Sequence, residues 1–363
     1  MHPSTFIRFA LGFLSALASV QAADVSLGVV YQDEETVFEL SCTNSEKQAY
    51  WVAAADSSCD CLKARFTPAP VDPGKTVRLR FAYRSAATGR FSVRVQLHGP
   101  EPAPVYSVHT VTGFVAPRDW LVPGSDLPKD AVIVDTRPPG RFAQAHIPRS
   151  LNLPAFAIRS RADLRTHPLV LVDEGFAPGL LLEEAAGLRR AGFSRVVVLE
   201  GGLASWMRQG GAMEGSESAP PVVTRLSAPD YVRSRRGTEW RVVEIRGRAP
   251  GAAPLEEAAE IERPEDLANV LRALSEPVPG RQKPRILVIA PDDAAYARID
   301  ARFEAKDSSP VYYLTGGRPA LDAYRREQAA LVGQPHQLVQ NRPNRGRPAS
   351  TGGCGTCPKS GVR

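Results

Sequence analysis

The feature that most limits what this chain can fold into is a short apolar run, Ala131-Val132-Ile133-Val134, that stops on Asp135-Thr136-Arg137. Two runs of the same kind follow, Leu169–Val172 and Val196–Leu199, with a helical pattern over 180–191 closing at Gly192 between them. Runs that are apolar at every residue, rather than at every second one, suit strands covered on both faces, as in a parallel sheet layered with helices. The stretch 131–211 therefore predicts an α/β unit with a parallel sheet. Its last strand runs into Glu200-Gly201-Gly202-Leu203-Ala204-Ser205-Trp206, where the glycines read as turn residues. They lack the Lys-Ser/Thr or the Gly-x-Gly-x-x-Gly of a phosphate cradle.

From about Val222 the pattern returns. Trp240-Arg241-Val242-Val243-Glu244-Ile245-Arg246 echoes the first strand, with Glu244 in the place of Asp135. Residues 285–290 echo 169–173, residues 311–317 echo 196–202, and Tyr324 falls near the position of Trp206. Three landmarks in one order predict a degenerate second copy. An amphipathic helix is expected over 261–274, with Pro264-Glu265-Asp266 near its start.

Ahead of these units, residues 23–116 alternate apolar and polar positions with period two, and turns such as Asp72-Pro73-Gly74 and Ala87-Thr88-Gly89 separate the runs. That spacing predicts a small immunoglobulin-like β-sandwich. Thr43-Asn44-Ser45, Ser58-Cys59-Asp60-Cys61, Pro73-Gly74-Lys75 and Thr88-Gly89-Arg90-Phe91 together resemble a family of exported bacterial domains of unknown function. The first 22 residues read as a signal peptide, with Arg8 before an apolar core too short to span a bilayer and small residues up to Ala22. The expected organisation is a signal (1–22), a β-sandwich (23–116), an α/β domain (117–212), a linker (213–221), a second α/β domain (222–331) and a disordered tail (332–363).

The strand ending Asp135-x-Arg137, the His146-Ile147-Pro148, the Asn152-Leu153-Pro154 and the Leu199-Glu200-Gly201-Gly202 leading into Trp206 together resemble a rhodanese-like (sulfurtransferase-like) domain. Tandem copies are common among sulfurtransferases of this type, so the duplication supports the resemblance, which implies a nucleophilic Cys in the loop after the second strand. There, loop amides and the following helix N-terminus stabilise a thiolate or persulfide. In this chain the loop 173–179 puts Asp173, or with a small shift Gly175, in that slot, and no Cys occurs between Cys61 and Cys354. The corresponding loop of the second copy, Pro291-Asp292-Asp293-Ala294, has none either. A carboxylate cannot carry a persulfide and repels an anionic sulfur donor. The expectation is therefore a non-catalytic binding or scaffold module of the bacterial envelope, periplasmic or extracellular, with no cofactor. Its partner would be an unknown protein or a small sulfur-containing ligand, held in a pocket of Asp135, Arg137, Asp173, Glu174 and Gly175. Asp173 also reads as an ordinary helix cap, His146 as structural, Asp135 and Arg137 as braces, and Trp206 and Phe142 as core.

Five cysteines sit near the two ends of the chain. Cys59 and Cys61, if on a strand, are badly placed for a mutual disulfide, so a bridge to Cys42, as in Cys42–Cys59, is expected in an oxidising compartment. The same two thiols could hold a soft metal, copper or zinc. Cys354-x-x-Cys357 could form an inert disulfide, or act as a thiol or persulfide relay that would make the protein a sulfurtransferase. The net charge of +6 carries no nucleic-acid signal: Arg8 lies in the signal, and Arg342, Arg345, Arg347, Lys359 and Arg363 follow the last acid, Glu327. Without those six cations the body is near neutral. No stretch after the signal is apolar enough to span a membrane.

Overall fold

The computed structural model describes residues 23–44, 47–99, 105–193, 195–216, 224–235, 237–245, 255, 258–262, 266–300 and 309–332. The expected signal peptide and the tail with Cys354 and Cys357 lie outside the described residues. The chain divides into two units, Met1–Leu321 and Asp322–Arg363; of the second, the helical stretch 322–332 is described. Every described strand belongs to the first unit.

The N-terminal region is all β: β1 (Ala23–Tyr31), β2 (Thr36–Thr43), β3 (Tyr50–Val52), β4 (Ala54–Ser57), β5 (Leu62–Ala64), β6 (Ala69–Val71), β7 (Thr76–Tyr83), β8 (Gly89–His98) and β9 (Val105–Ala116). A sheet in the order β1-β9-β8-β4 faces one in the order β2-β7-β5, with β3 and β6 paired beside them. Alternation explains the packing: β2 buries every second residue, and Phe38 and Leu40 meet Leu79, Phe81, Val93, Val95 and Val111 in one core. β1 runs parallel to β9, while the other pairings in this region are antiparallel.

The cysteines depart from expectation. Cys59 is bonded to Cys61, and Cys42 is a buried free thiol. Residues 59–61 lie in a turn between β4 and β5 rather than on a strand, and the turn brings their Cα atoms to 5.2 Å, inside the disulfide range. Register also excludes the Cys42–Cys59 bridge. Cys42 lies opposite Val77, whereas Leu62, next to Cys61, lies opposite Tyr83 at the far end of β7, roughly 20 Å away at about 3.4 Å per residue.

The first parallel sheet comprises β10 (Leu121–Val122), β11 (Val132–Asp135), β12 (Leu151–Asn152), β13 (Leu169–Val172) and β14 (Val196–Leu199) in the order β10-β14-β13-β11-β12. Around it lie α1 (Pro139–Gln144), α2 (Ala155–Ile158), α3 (Pro178–Arg190) and α4 (Gly202–Arg208). Every residue of β13 is buried, as a central strand requires. The core of this sheet is continuous with the β region: Val29, Tyr31, Phe114 and Ala116 pack in one cluster with Leu181, Leu182 and Val198. The expected linker begins by folding back, because His146 and Glu214 exchange backbone bonds of 2.8 and 2.9 Å. Phe142 and Trp206 are half-buried rather than core: Phe142 stacks on His146, and the Trp206 indole N–H donates to the Ala212 carbonyl.

The second parallel sheet comprises β15 (Arg225–Leu226), β16 (Trp240–Ile245), β17 (Ala258–Ile261), β18 (Arg285–Ile289) and β19 (Val311–Leu314) in the order β15-β19-β18-β16-β17, position for position the order of the first. Its helices are α5 (Ala228–Ser234), α6 (Leu267–Leu274), α7 (Asp293–Asp300) and α8 (Gly317–Val332). Asp135 lies opposite Val172 in the first sheet as Glu244 lies opposite Ile289 in the second. Leu203 N–H donates to the Asp173 carbonyl, and Arg318 N–H to the Ala290 carbonyl, both at 2.9 Å. These bonds set Trp206 against Leu321, so Tyr324 stands three residues beyond the matching position. Ile261 closes β17 instead of opening a helix, because it pairs with Ile245; the helix spans only Leu267–Leu274.

The double-glycine turns have a steric reason. Gly201 and Gly202 have φ of 70° and 55°, Gly316 and Gly317 of 73° and 57°, and a Cβ on Gly202 or Gly317 would strike the Asp173 or Ala290 carbonyl. Gly202→Ala and Gly317→Ala are each expected to lose more than the roughly 1–2 kcal/mol of a left-handed residue. Gly74→Ala, with φ 71° but no atom within 4 Å, should lose only that backbone component. Urea unfolding of the three variants checks this, and equal losses would contradict the steric account.

Candidate functional site

The loop 173–177 leaves β13 between two buried surfaces, so its peptide groups need protein partners. The Glu174 carbonyl accepts the Ala204 N–H at 3.3 Å and the Tyr312 hydroxyl at 3.0 Å. The Gly175 carbonyl accepts Arg285 Nε at 2.9 Å, and the Phe176 carbonyl accepts Thr238 Oγ1 at 3.0 Å. Three successive carbonyls are thus held by β19 and β18 of the second parallel sheet and by the residue two before its β16. Gly175, at φ 94°, sits directly against the Gly201 carbonyl, where a side chain would not fit.

Asp173 does not cap α3; Ala177 occupies that position. Instead its Oδ1 accepts the Gly175 N–H at 2.7 Å, closing its own turn. Burial raises its carboxyl above the ordinary range, an effect partly offset by that bond. Glu174 points inward. Burial first, and then the neighbouring Asp173, push it up to about 7. Arg137 braces the same region: its Nη2 donates to Asp135 Oδ2 at 2.7 Å and to the Ala145 carbonyl, and its Nη1 lies 3.9 Å from Glu174 Oε1. Asn152 Nδ2 ties the carbonyls of Asp135 and Arg137 at 3.1 and 2.8 Å. His146 Nδ1 lies 2.9 Å from the Phe142 carbonyl, and its ring stacks on Phe142.

A cavity of about 360 Å³ opens beside the loop, between α3 and α5. Phe176, Ala177, Leu180 and Leu181 form its apolar floor, and Thr136, Asp173, Glu183, Glu184, Asp230 and Arg233 are among its polar walls. Of the five residues expected to make the pocket, only Asp173 lines it. Asp135 and Arg137 alternate with Thr136 and so face the interior, Glu174 turns toward Arg137, and Gly175 is covered by Gly201. Sequence reasoning missed Thr238, Arg285, Tyr312, Asp230 and Arg233. Arg285 left a signal: it is an arginine on a strand otherwise apolar and buried throughout. Cys59 and Cys61, proposed as metal ligands, offer no thiolate when bonded to each other. Among the described residues no three His, Cys, Asp or Glu side chains gather as a metal site, and no helix is long and apolar enough to cross a membrane.

A five-stranded parallel sheet with its loop and cavity at the carboxyl ends of the strands defines an α/β fold. The family follows from comparison. Residues 120–209 match the rhodanese-like domain and residues 18–115 match a family described as a protein of unknown function (DUF1573), so the chain carries a rhodanese-like domain preceded by a DUF1573 domain. An uncharacterised Escherichia coli protein, YibN, is 37% identical over 84 residues, which are 22% of this chain and 57% of that protein. The match therefore spans little more than half of the curated relative. Among solved structures, the Alr3790 protein from Anabaena is 28% identical, covering 24% of this chain and 70% of its own, with a TM-score of 0.21. A thiosulfate sulfurtransferase from Pseudomonas aeruginosa is 20% identical, covering 54% of this chain and 39% of its own, with a TM-score of 0.22.

Two measurements test this electrostatic arrangement. Arg137→Ala leaves Asp135 buried without its partner and should cost about 3–5 kcal/mol in chemical denaturation. Glu174 has a folded pKa above its unfolded one, so the native state holds the proton longer and stability falls as pH rises from about 4.5 to about 7. Glu174→Gln should flatten that fall, by up to about 3 kcal/mol across the window. Parallel stability curves for the two proteins would sink the assignment.

Proposed function

We propose that this protein is a non-catalytic rhodanese-like binding module, exported to the bacterial envelope, in which the second parallel sheet is a degenerate second copy. One observation carries the reading: in the loop where a sulfurtransferase would place its thiol stand Asp173 and Glu174, and three of that loop's carbonyls are anchored by Thr238, Arg285 and Tyr312. A loop held this way serves as the seam between two α/β layers, and its carboxylates work against a thiolate or an anionic donor. The identical strand order and the matching Gly-Gly turns support the duplication. Export is inferred from residues 1–22, and the Cys59–Cys61 disulfide suits an oxidising compartment.

Thiocyanate formation from thiosulfate and cyanide tests the reading on the full chain, with a Cys354→Ser/Cys357→Ser variant alongside. Both proteins should stay at the background rate. Asp173→Cys should also remain near background, because the burial that raises the Asp173 carboxyl keeps a thiol there above its ordinary pKa of about 8.5. Enzyme-like turnover by the double Ser variant would overturn the proposal; turnover lost only in that variant would move the activity to the tail.

A further inference from the structure

The hydrogen-bonding capacity left over in the cavity between α3 and α5 is one-sided. Thr136 Oγ1 donates its proton to the Val172 carbonyl at 3.1 Å. Ser234 Oγ donates to the Tyr231 carbonyl at 2.9 Å and accepts the Trp240 indole N–H at 3.0 Å. Both hydroxyls therefore have their protons committed to the protein. Asp173, Glu183, Glu184 and Asp230 are acceptors when ionised, so Arg233 is the one strong side-chain donor among the described lining residues.

The charges point the same way. Glu183 is paired with Arg90 and Glu184 lies 3.8 Å from Arg159, neither arginine being part of the lining. Asp230 is 3.3 Å from Arg233, whose side chain is 69% exposed, a weak pair by its exposure. Among the described residues Asp173 has no ion pair, and its carboxylate accepts the Gly175 N–H. Phe176, Leu180 and Leu181 supply an apolar floor, and the Phe176 ring is held edge-on by Tyr312 at 6.2 Å between centroids. The volume lies near the lower end for small-ligand sites.

Resting on the reading of the chain as a binding module, we propose that this cavity binds an organic cation, a primary amine or guanidinium on a short hydrocarbon stem, with Asp173 and Asp230 as its anionic contacts. The stem lies on Phe176 and Leu180 while the cation donates to the carboxylates. A divalent sulfur oxyanion meets repulsion at the same walls. Burial raises the Asp173 carboxyl, the Gly175 N–H and the buried Arg285 and Arg137 lower it, and Asp135 raises it; the net direction is upward, so the cation also draws a proton off that group and binding strengthens as pH rises.

Isothermal titration of the full-length protein tests this with agmatine and cadaverine as free cations, an arginine-containing hexapeptide as a side-chain source, and thiosulfate as the anion. Agmatine or cadaverine is expected to bind saturably, more tightly at pH 8 than at pH 5. Asp173→Asn and Asp230→Asn should each weaken it at least fivefold. Arg233→Gln, at a largely exposed site where folding is not at stake, should tighten it severalfold by freeing Asp230 Oδ1, while Oδ2 still accepts the Ser227 hydroxyl at 2.7 Å. A hexapeptide binding more tightly than agmatine assigns the cation to a protein side chain, and the reverse assigns it to a free amine. Thiosulfate binding more tightly than either cation, or affinities unmoved by all three substitutions, overturns the proposal. Thiocyanate turnover with cation binding intact would remove the non-catalytic reading alone; absence of both would remove only the cation.

Discussion

The structure depends on how the carbonyls of residues 174–176 are satisfied. A loop pressed between two sheets cannot leave its peptide oxygens without partners, since each orphaned group costs on the order of 1–3 kcal/mol. Here those partners come from a different layer, through the Tyr312 hydroxyl, the Arg285 guanidinium and the Thr238 hydroxyl. Arg285 is buried to 2% exposure; its Nε serves the loop, its Nη1 donates to Gln282 Oε1 and the Lys283 carbonyl, and its Nη2 has no hydrogen-bond partner among the described residues. The loop and the second sheet thus secure each other, and the chemistry possible at Asp173 is limited by that arrangement.

The two parallel sheets answer the same geometric problem with different side chains. In the first, the carboxylate at the end of the central pair belongs to Asp135 and is neutralised two residues later by Arg137. In the second, the equivalent Glu244 is neutralised by Arg318, the residue just after the Gly-Gly turn. The shared requirement is a buried acid matched by a buried base at the sheet end, and the source of the base is free to move. This explains why the second sheet reads so faintly as a motif while keeping the strand order of the first.

Much of this was legible in the residues. Uninterrupted apolar runs disclosed both parallel sheets, because burial on two faces leaves no polar alternation to confuse them, and the strand ending Asp135-x-Arg137 disclosed the brace. Local pattern failed where tertiary contact decided. Ile261 looks helical until Ile245 claims it as a strand partner, and Cys59 and Cys61 look unbondable until a turn replaces the assumed strand. The pocket was misplaced for a similar reason: which of Asp135, Thr136 and Arg137 faces the cavity depends on strand phase, and the α5 wall with Asp230 and Arg233 depends on a layer some sixty residues away in sequence.

The hydrophobic cluster shared by the β region and the first sheet has a consequence for assembly. Val29 and Tyr31 lie on the first strand, yet they are covered by α3 residues that arrive about 150 positions later. The backbone of the same strand is completed later still, when Gly280 accepts the Tyr31 N–H and Gln282 donates to the Val29 carbonyl, both at 2.8 Å. As the chain emerges N-terminus first, β1 therefore waits with an uncovered flank and an open edge until nearly all of the unit has been made. Such a nascent intermediate is sticky, and it makes the β region an obligate part of one folding event rather than a detachable cap on its neighbours.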